Sequence, residues 1–149
     1  MRKIILSIIA SLPFAMTSRA QINAALLRFP DVSATQIVFT YANDLWVVPK
    51  EGGKAQHLSS PAGVELFPKF SHDGRTIAYT ADYDGNNSIY TIPAEGGPAT
   101  RLTWHGSLER VVDWYPDVRR VIFASGREAG HERFDQFFSI HDLQQITSC

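Results

Sequence analysis

Five histidines, a cluster of aspartates around a glycine, one serine–glycine pair and three tryptophans are the groups in this 149-residue chain whose chemistry could go beyond packing. His57, His72, His105, His131 and His141 never fall three to five residues apart, and the sole cysteine is Cys149. A zinc site needs several such ligands brought close together, so this pattern predicts none. Asp82-Tyr83-Asp84-Gly85-Asn86 invites comparison with a calcium loop. An EF-hand loop, however, places its glycine two positions later and a bidentate glutamate at position twelve, where this chain has Pro93. The segment reads as a hairpin turn. Ser125-Gly126 lacks the Gly-x-Ser-x-Gly elbow that presents a nucleophile. The glycines punctuate strands and do not open helices, so no phosphate cradle is expected. The expectation is no catalytic, cofactor-binding or metal-ligating residue, and no cofactor.

Trp46, Trp104, Trp114, Tyr79 and Tyr90 could form an aromatic platform for peptide or sugar, but aromatic residues in strands more often pack between sheets. Trp104, in Thr103-Trp104-His105-Gly106, is the one expected on a loop. Asn86-Asn87-Ser88 fits a glycosylation sequon.

The elements that position these groups repeat along the chain. Phe29-Pro30-Asp31, Phe70-Ser71-His72-Asp73-Gly74 and Trp114-Tyr115-Pro116-Asp117 each join an aromatic residue to a turn built on aspartate. Each leads into a short apolar strand, Ile37–Thr40, Ile77–Thr80 and Val121–Ala124. A second strand follows (Leu45–Pro49, Ile89–Pro93, Phe137–Ile140). Gly52-Gly53 and Gly96-Gly97 then turn the chain towards closing elements at His57–Ser59 and Arg101–Thr103. Adding the strands Val64–Phe70 and Glu109–Trp114 gives four per unit. Segments of four to seven β-branched and aromatic residues between Asp-Gly and Gly-Gly turns are hairpin signals. A four-stranded unit every ~40–45 residues is the period of a propeller blade. The fold class expected is all-β, a β-propeller with about three four-stranded antiparallel blades in an incomplete ring, near residues 24–60, 61–105 and 106–149.

Residues 1–20 read as a signal peptide. Arg2 and Lys3 precede an apolar run, Ile4 to Met16, and Ser18-Arg19-Ala20 offers a cleavage site. The expectation is an exported, periplasmic or secreted protein without a membrane anchor. The remaining 129 residues carry 11 basic and 15 acidic side chains. That balance argues against nucleic acid, whose phosphates demand a basic face.

Phe67-Pro68-Lys69-Phe70-Ser71-His72-Asp73-Gly74-Arg75 resembles the TolB-like propeller repeat, with His72 where that repeat has proline and Val118 where its third copy would have glycine. Tyr41–Trp46, Gly63–Pro68, Ala81–Asn86, Val111–Trp114 and Phe123–Glu128, taken in order, resemble the N-terminal propeller of tricorn-type serine proteases. The resemblance implies a large exported protease whose propellers screen or channel peptides, with catalytic residues that have no counterpart here. The partners it implies are peptides or proteins, and the missing C-terminal protease domains. The alternative is a stand-alone TolB-like binding module that closes its ring with a second copy of the chain. The tail after Ile140 departs from the repeat. It reads either as a shortened closing strand through Ile146-Thr147 or as translation past a disruption of the gene.

Overall fold

The computed structural model describes residues 26–59, 61–127 and 138–142. Strands β1 (Arg28–Val32), β2 (Gln36–Tyr41), β3 (Asp44–Pro49) and β4 (Gln56–His57) form one antiparallel sheet in sequence order. Strands β5 (Val64–Phe70), β6 (Thr76–Asp82), β7 (Asn87–Pro93) and β8 (Thr100–Arg101) form a second. The third described sheet holds β9 (Glu109–Trp114), β10 (Arg120–Ser125) and β11 (Phe138–Asp142), in the order β9-β10-β11. No α-helix occurs among the described residues. The expected signal peptide and the closing strand through Ile146-Thr147 lie outside them. The closing strands β4 and β8 are two residues long and end just before the Leu-Ser and Leu-Thr pairs at 58–59 and 102–103.

The sheets are the blades of a propeller, stacked face to face. Val38, Leu45 and Val47 of the first pack against Ile77, Tyr79, Ala81, Tyr90 and Ile92 of the second. Ala78, Ile89 and Leu102, on the second sheet's other face, pack against Val111, Trp114, Val121 and Phe123 of the third. The central sheet is therefore buried on both faces, and β6 and β7 carry unbroken buried runs from Ile77 to Ala81 and from Ser88 to Ile92. Burying each large apolar side chain in these two seams contributes roughly 1.5–3 kcal/mol.

One turn falls elsewhere than the sequence predicts. Phe29-Pro30-Asp31 lies within β1, and the first unit turns at Ser33–Thr35. Ser33 there does what Ser71 does in the second unit. Each accepts a bond at Oγ from the first residue of the next strand, Gln36 N at 2.9 Å and Thr76 N at 3.0 Å. The first loop is two residues shorter, so aligning the aspartates misplaces it. Asp31 shares its rung with Lys69, since they pair with Val38 and Ala78 respectively.

Candidate functional site

The first strands of the blades, β1, β5 and β9, lie side by side along the inner edges of the sheets. Each is interrupted by a bulge at the same level. Two residues, Phe29-Pro30, Phe67-Pro68 or Val111-Val112, oppose one residue of the next strand. Bulges re-aim side chains, and they gather next to functional sites. In the first two blades the bulge residue is a phenylalanine with positive φ, 51° at Phe29 and 53° at Phe67. A non-glycine residue costs of order 1–3 kcal/mol there, and a following proline restricts it further. The conformation brings the two rings together, with centroids 4.3 Å apart and planes at 50°.

These rings, both prolines, Val111 and Val112 wall an open pocket of about 310 Å³. Its polar groups are Lys69 and Arg110. Lys69 Nζ is held by Asp31 Oδ1 at 3.0 Å, while Asp31 Oδ2 accepts a bond from Phe70 N at 2.8 Å, tying blade one to blade two. The Arg110 guanidinium lies 5.3 Å from the centre of the Phe67 ring. A small apolar hollow with one or two directed cations suits a ligand that brings an apolar group and an acceptor.

Next to the pocket, blades two and three each bury a carboxylate, and the first fastens a seam. Glu65, fully buried, accepts a bond from Leu45 N at 2.8 Å and bonds from the hydroxyls of Ser59 and Tyr83. Tyr83 also lies 3.1 Å from Tyr79 across their hydroxyls. Burial first, and then the hydrogen bond to Glu65, push the Tyr83 phenol above its ordinary value. Burial does the same to Tyr79. Gly63 makes the approach possible, because a Cβ there would sit 2.3 Å from the Asp82 carbonyl oxygen. Glu109 occupies the same position 44 residues on, with its partners in its own blade. It is also fully buried, and Arg127, at the position of Tyr83, pairs with its Oε1. Its Oε2 has no partner among the described residues. The matching position in blade one is Leu27, 38% exposed.

The candidates named from the sequence are scattered. His57 Nε2 lies 3.1 Å from Asp44 Oδ2, and its ring lies tilted against Trp46 with centroids 4.8 Å apart. His72 sits in the β5–β6 turn and His105 in the loop before β9, His141 falls in β11, and His131 and Cys149 lie outside the described residues. Among the described residues no three His, Cys, Asp or Glu side chains converge as a metal requires. Asp82 ends β6 and Tyr83–Asn86 forms the β6–β7 turn, where Asn86 Nδ2 donates to His105 O at 2.6 Å. Ser125 is buried against Glu109. Trp114, Tyr79 and Tyr90 are buried in seams, Trp46 is half-buried, and Trp104 is 65% exposed. None of these groups joins the pocket. What sequence reasoning missed was signalled only by the repeats Phe29-Pro30/Phe67-Pro68 and Glu65/Glu109.

Residues 24–147 match the family model of the tricorn protease N-terminal beta propeller domain. The tricorn protease homolog 1 of Streptomyces coelicolor is 36% identical over 110 residues, which are 73% of this chain and 10% of that protein. A putative tricorn-like protease N-terminal subunit of Sulfurisphaera tokodaii is 33% identical over 93 residues, 59% of this chain and 47% of that protein. Among solved structures, the tricorn protease superposes with a TM-score of 0.61 at 25% identity, over 68% of this chain and 11% of that one. TolB from Acinetobacter baumannii superposes at 0.63 with 22% identity, over 78% of this chain and 32% of that one.

Proposed function

The chain belongs to the tricorn protease N-terminal β-propeller family, and on that footing we propose that it is a non-catalytic propeller segment that positions or filters peptides for a protease domain supplied elsewhere. The chain corresponds to a tenth of the Streptomyces relative it matches, and this reading assigns the cleavage chemistry to the remainder. The observation that carries the reading is the pocket on the inner strands. Bulges in three blades converge there, and two of them hold phenylalanines in a costly conformation that points both rings at the same hollow. Export follows from the reading of residues 1–20 as a signal peptide, and peptides in that compartment are the substrates in view.

The test is to incubate the purified chain with a mixed library of labelled, end-blocked pentapeptides. Fluorescence anisotropy follows binding, and mass spectrometry follows cleavage. Binding without cleavage is expected. Turnover would overturn the non-catalytic part of the reading, and failure of every peptide to bind would overturn the positioning part.

A second reading, a TolB-like module that completes its ring with another copy, draws on the outer face of blade one. There Phe39, Tyr41 and Trp46 are only partly covered. Discrete dimers that bind a protein partner but no peptide would favour it.

A further inference from the structure

We propose that the pocket between the inner strands admits one aliphatic or aromatic side chain of an extended peptide, and reads that side chain instead of adding the peptide as a strand. This deepens the peptide-positioning reading above and rests on it. Strand addition needs free backbone donors along an edge. Around the pocket several are absent or taken. Pro30 and Pro68 have no N–H. Val111 N donates to Thr80 Oγ1 at 2.9 Å and Phe70 N to Asp31 Oδ2 at 2.8 Å, and the Lys69 carbonyl accepts from Trp114 Nε1 at 2.8 Å. The ladder that an incoming strand would extend is therefore interrupted at the pocket.

What the edge offers is shape and apolar surface. The volume of about 310 Å³ lies at the small end of the range for ligand pockets, enough for one side chain and too little for a folded module. The walls are apolar apart from two cations. Lys69 is neutralised by Asp31 at 3.0 Å, and Arg110 spreads its charge over the Phe67 ring. An ammonium or guanidinium group would meet like charge here. A carboxylate would meet mostly apolar wall and lose its hydration. An aliphatic or aromatic side chain gains by burial, and its own backbone carbonyl can turn to the Arg110 side.

The test uses the full chain and four end-blocked peptides, acetyl-Gly-Gly-X-Gly-Gly-amide, with leucine, phenylalanine, aspartate or glycine at X. Methyl NMR on Val111 and Val112 is the readout, together with anisotropy. Burial of one such side chain predicts about tenfold or tighter binding of the leucine and phenylalanine peptides than of the other two, with shifts at both valines. Phe67→Ala and Val112→Asp should each remove that preference. Equal binding of all four peptides overturns the side-chain pocket and leaves peptide positioning standing, whereas binding of none overturns the positioning reading itself. Preference without shifts at Val111 and Val112 places the site elsewhere and overturns the inference. That readout needs only the unaltered chain, so it holds even if a variant fails to fold.

Discussion

Equivalent residues in successive blades act as internal controls for one another. Thr40 and Thr80 occupy the same rung, and both are buried. Thr80 Oγ1 accepts the bond from Val111 N, whereas Thr40 Oγ1 has no partner among the described residues. An orphaned buried hydroxyl carries its desolvation cost with no return, and removing an acceptor strands its donor at about 1–3 kcal/mol. Thr40→Val should therefore leave stability unchanged or raise it by about 1 kcal/mol, and Thr80→Val should lower it by about 1–3 kcal/mol. Urea midpoints at constant slope would show the opposite signs directly. The turn pair Gly74 and Val118 makes a second control. Both have positive φ, 71° and 55°, and both donate their N–H to the residue three back, Ser71 and Tyr115. A β-branched residue loses about 1–2 kcal/mol in that region, and glycine gives back about 0.5–1 kcal/mol through the unfolded chain. Val118→Gly should raise stability by up to about 1.5 kcal/mol on that balance. A fall in the urea midpoint would mean that the Val118 side chain contributes more in place than its backbone costs.

Between elements, the buried carboxylate sets how blades one and two dock. Glu65 sits on blade two, yet it receives the β3 N–H of Leu45 and the hydroxyl of Ser59 from blade one. Removing Glu65 leaves a buried N–H and two hydroxyls without their acceptor, at about 1–3 kcal/mol for each that finds no other partner. Glu65→Ala should cost about that much, and Glu65→Gln, which keeps one acceptor oxygen in place, should cost less. The same network fixes a pH response. The folded-state values of Tyr79 and Tyr83 are raised above the unfolded 10.0, first by burial. Below pH 10 both states hold these protons, and the stability is fully present. Above it the unfolded chain releases them while the folded chain retains them, so stability falls with rising pH. Melting temperatures should drop above pH 10, and Tyr83→Phe should flatten that drop while lowering the plateau at neutral pH. An equally steep drop in Tyr83→Phe would assign the alkaline limb to other groups.

At the scale of the whole molecule, strands and hairpins were legible because Asp73-Gly74, Gly52-Gly53 and Gly96-Gly97 mark turns by backbone geometry alone, and the runs between them suit strands. The pocket was not legible. It depends on bulges that shift register within β1 and β5, and the sequence signals a bulge no more strongly than it signals a turn, so Asp31 resembles a turn residue until the strands are paired. The seam carboxylates were hidden for a related reason. Glu65 and Glu109 look like surface charges until the strands are stacked and their partners, on other blades or after β10, come into view. Stacking also exposes what blade one lacks. Ile37, Phe39, Tyr41, Trp46 and Val48 occupy the rungs of Ile77, Tyr79, Ala81, Tyr90 and Ile92. The latter five are buried in a seam, while the former five are only partly covered, and Leu27 replaces the carboxylate that would fasten a neighbour. A sheet face of this kind is an association surface, so the chain should self-associate as concentration rises in sedimentation velocity. Sulfate should strengthen the association, since it favours apolar burial, whereas an ionic contact would weaken as salt screens it. Phe39→Lys combined with Trp46→Lys puts two like charges on directly paired positions of that face. The double variant should stay monomeric at concentrations where the natural sequence does not. If it associates equally well, another surface carries the contact, with Trp104 the most exposed large apolar candidate among the described residues, ahead of Leu26 and Val32.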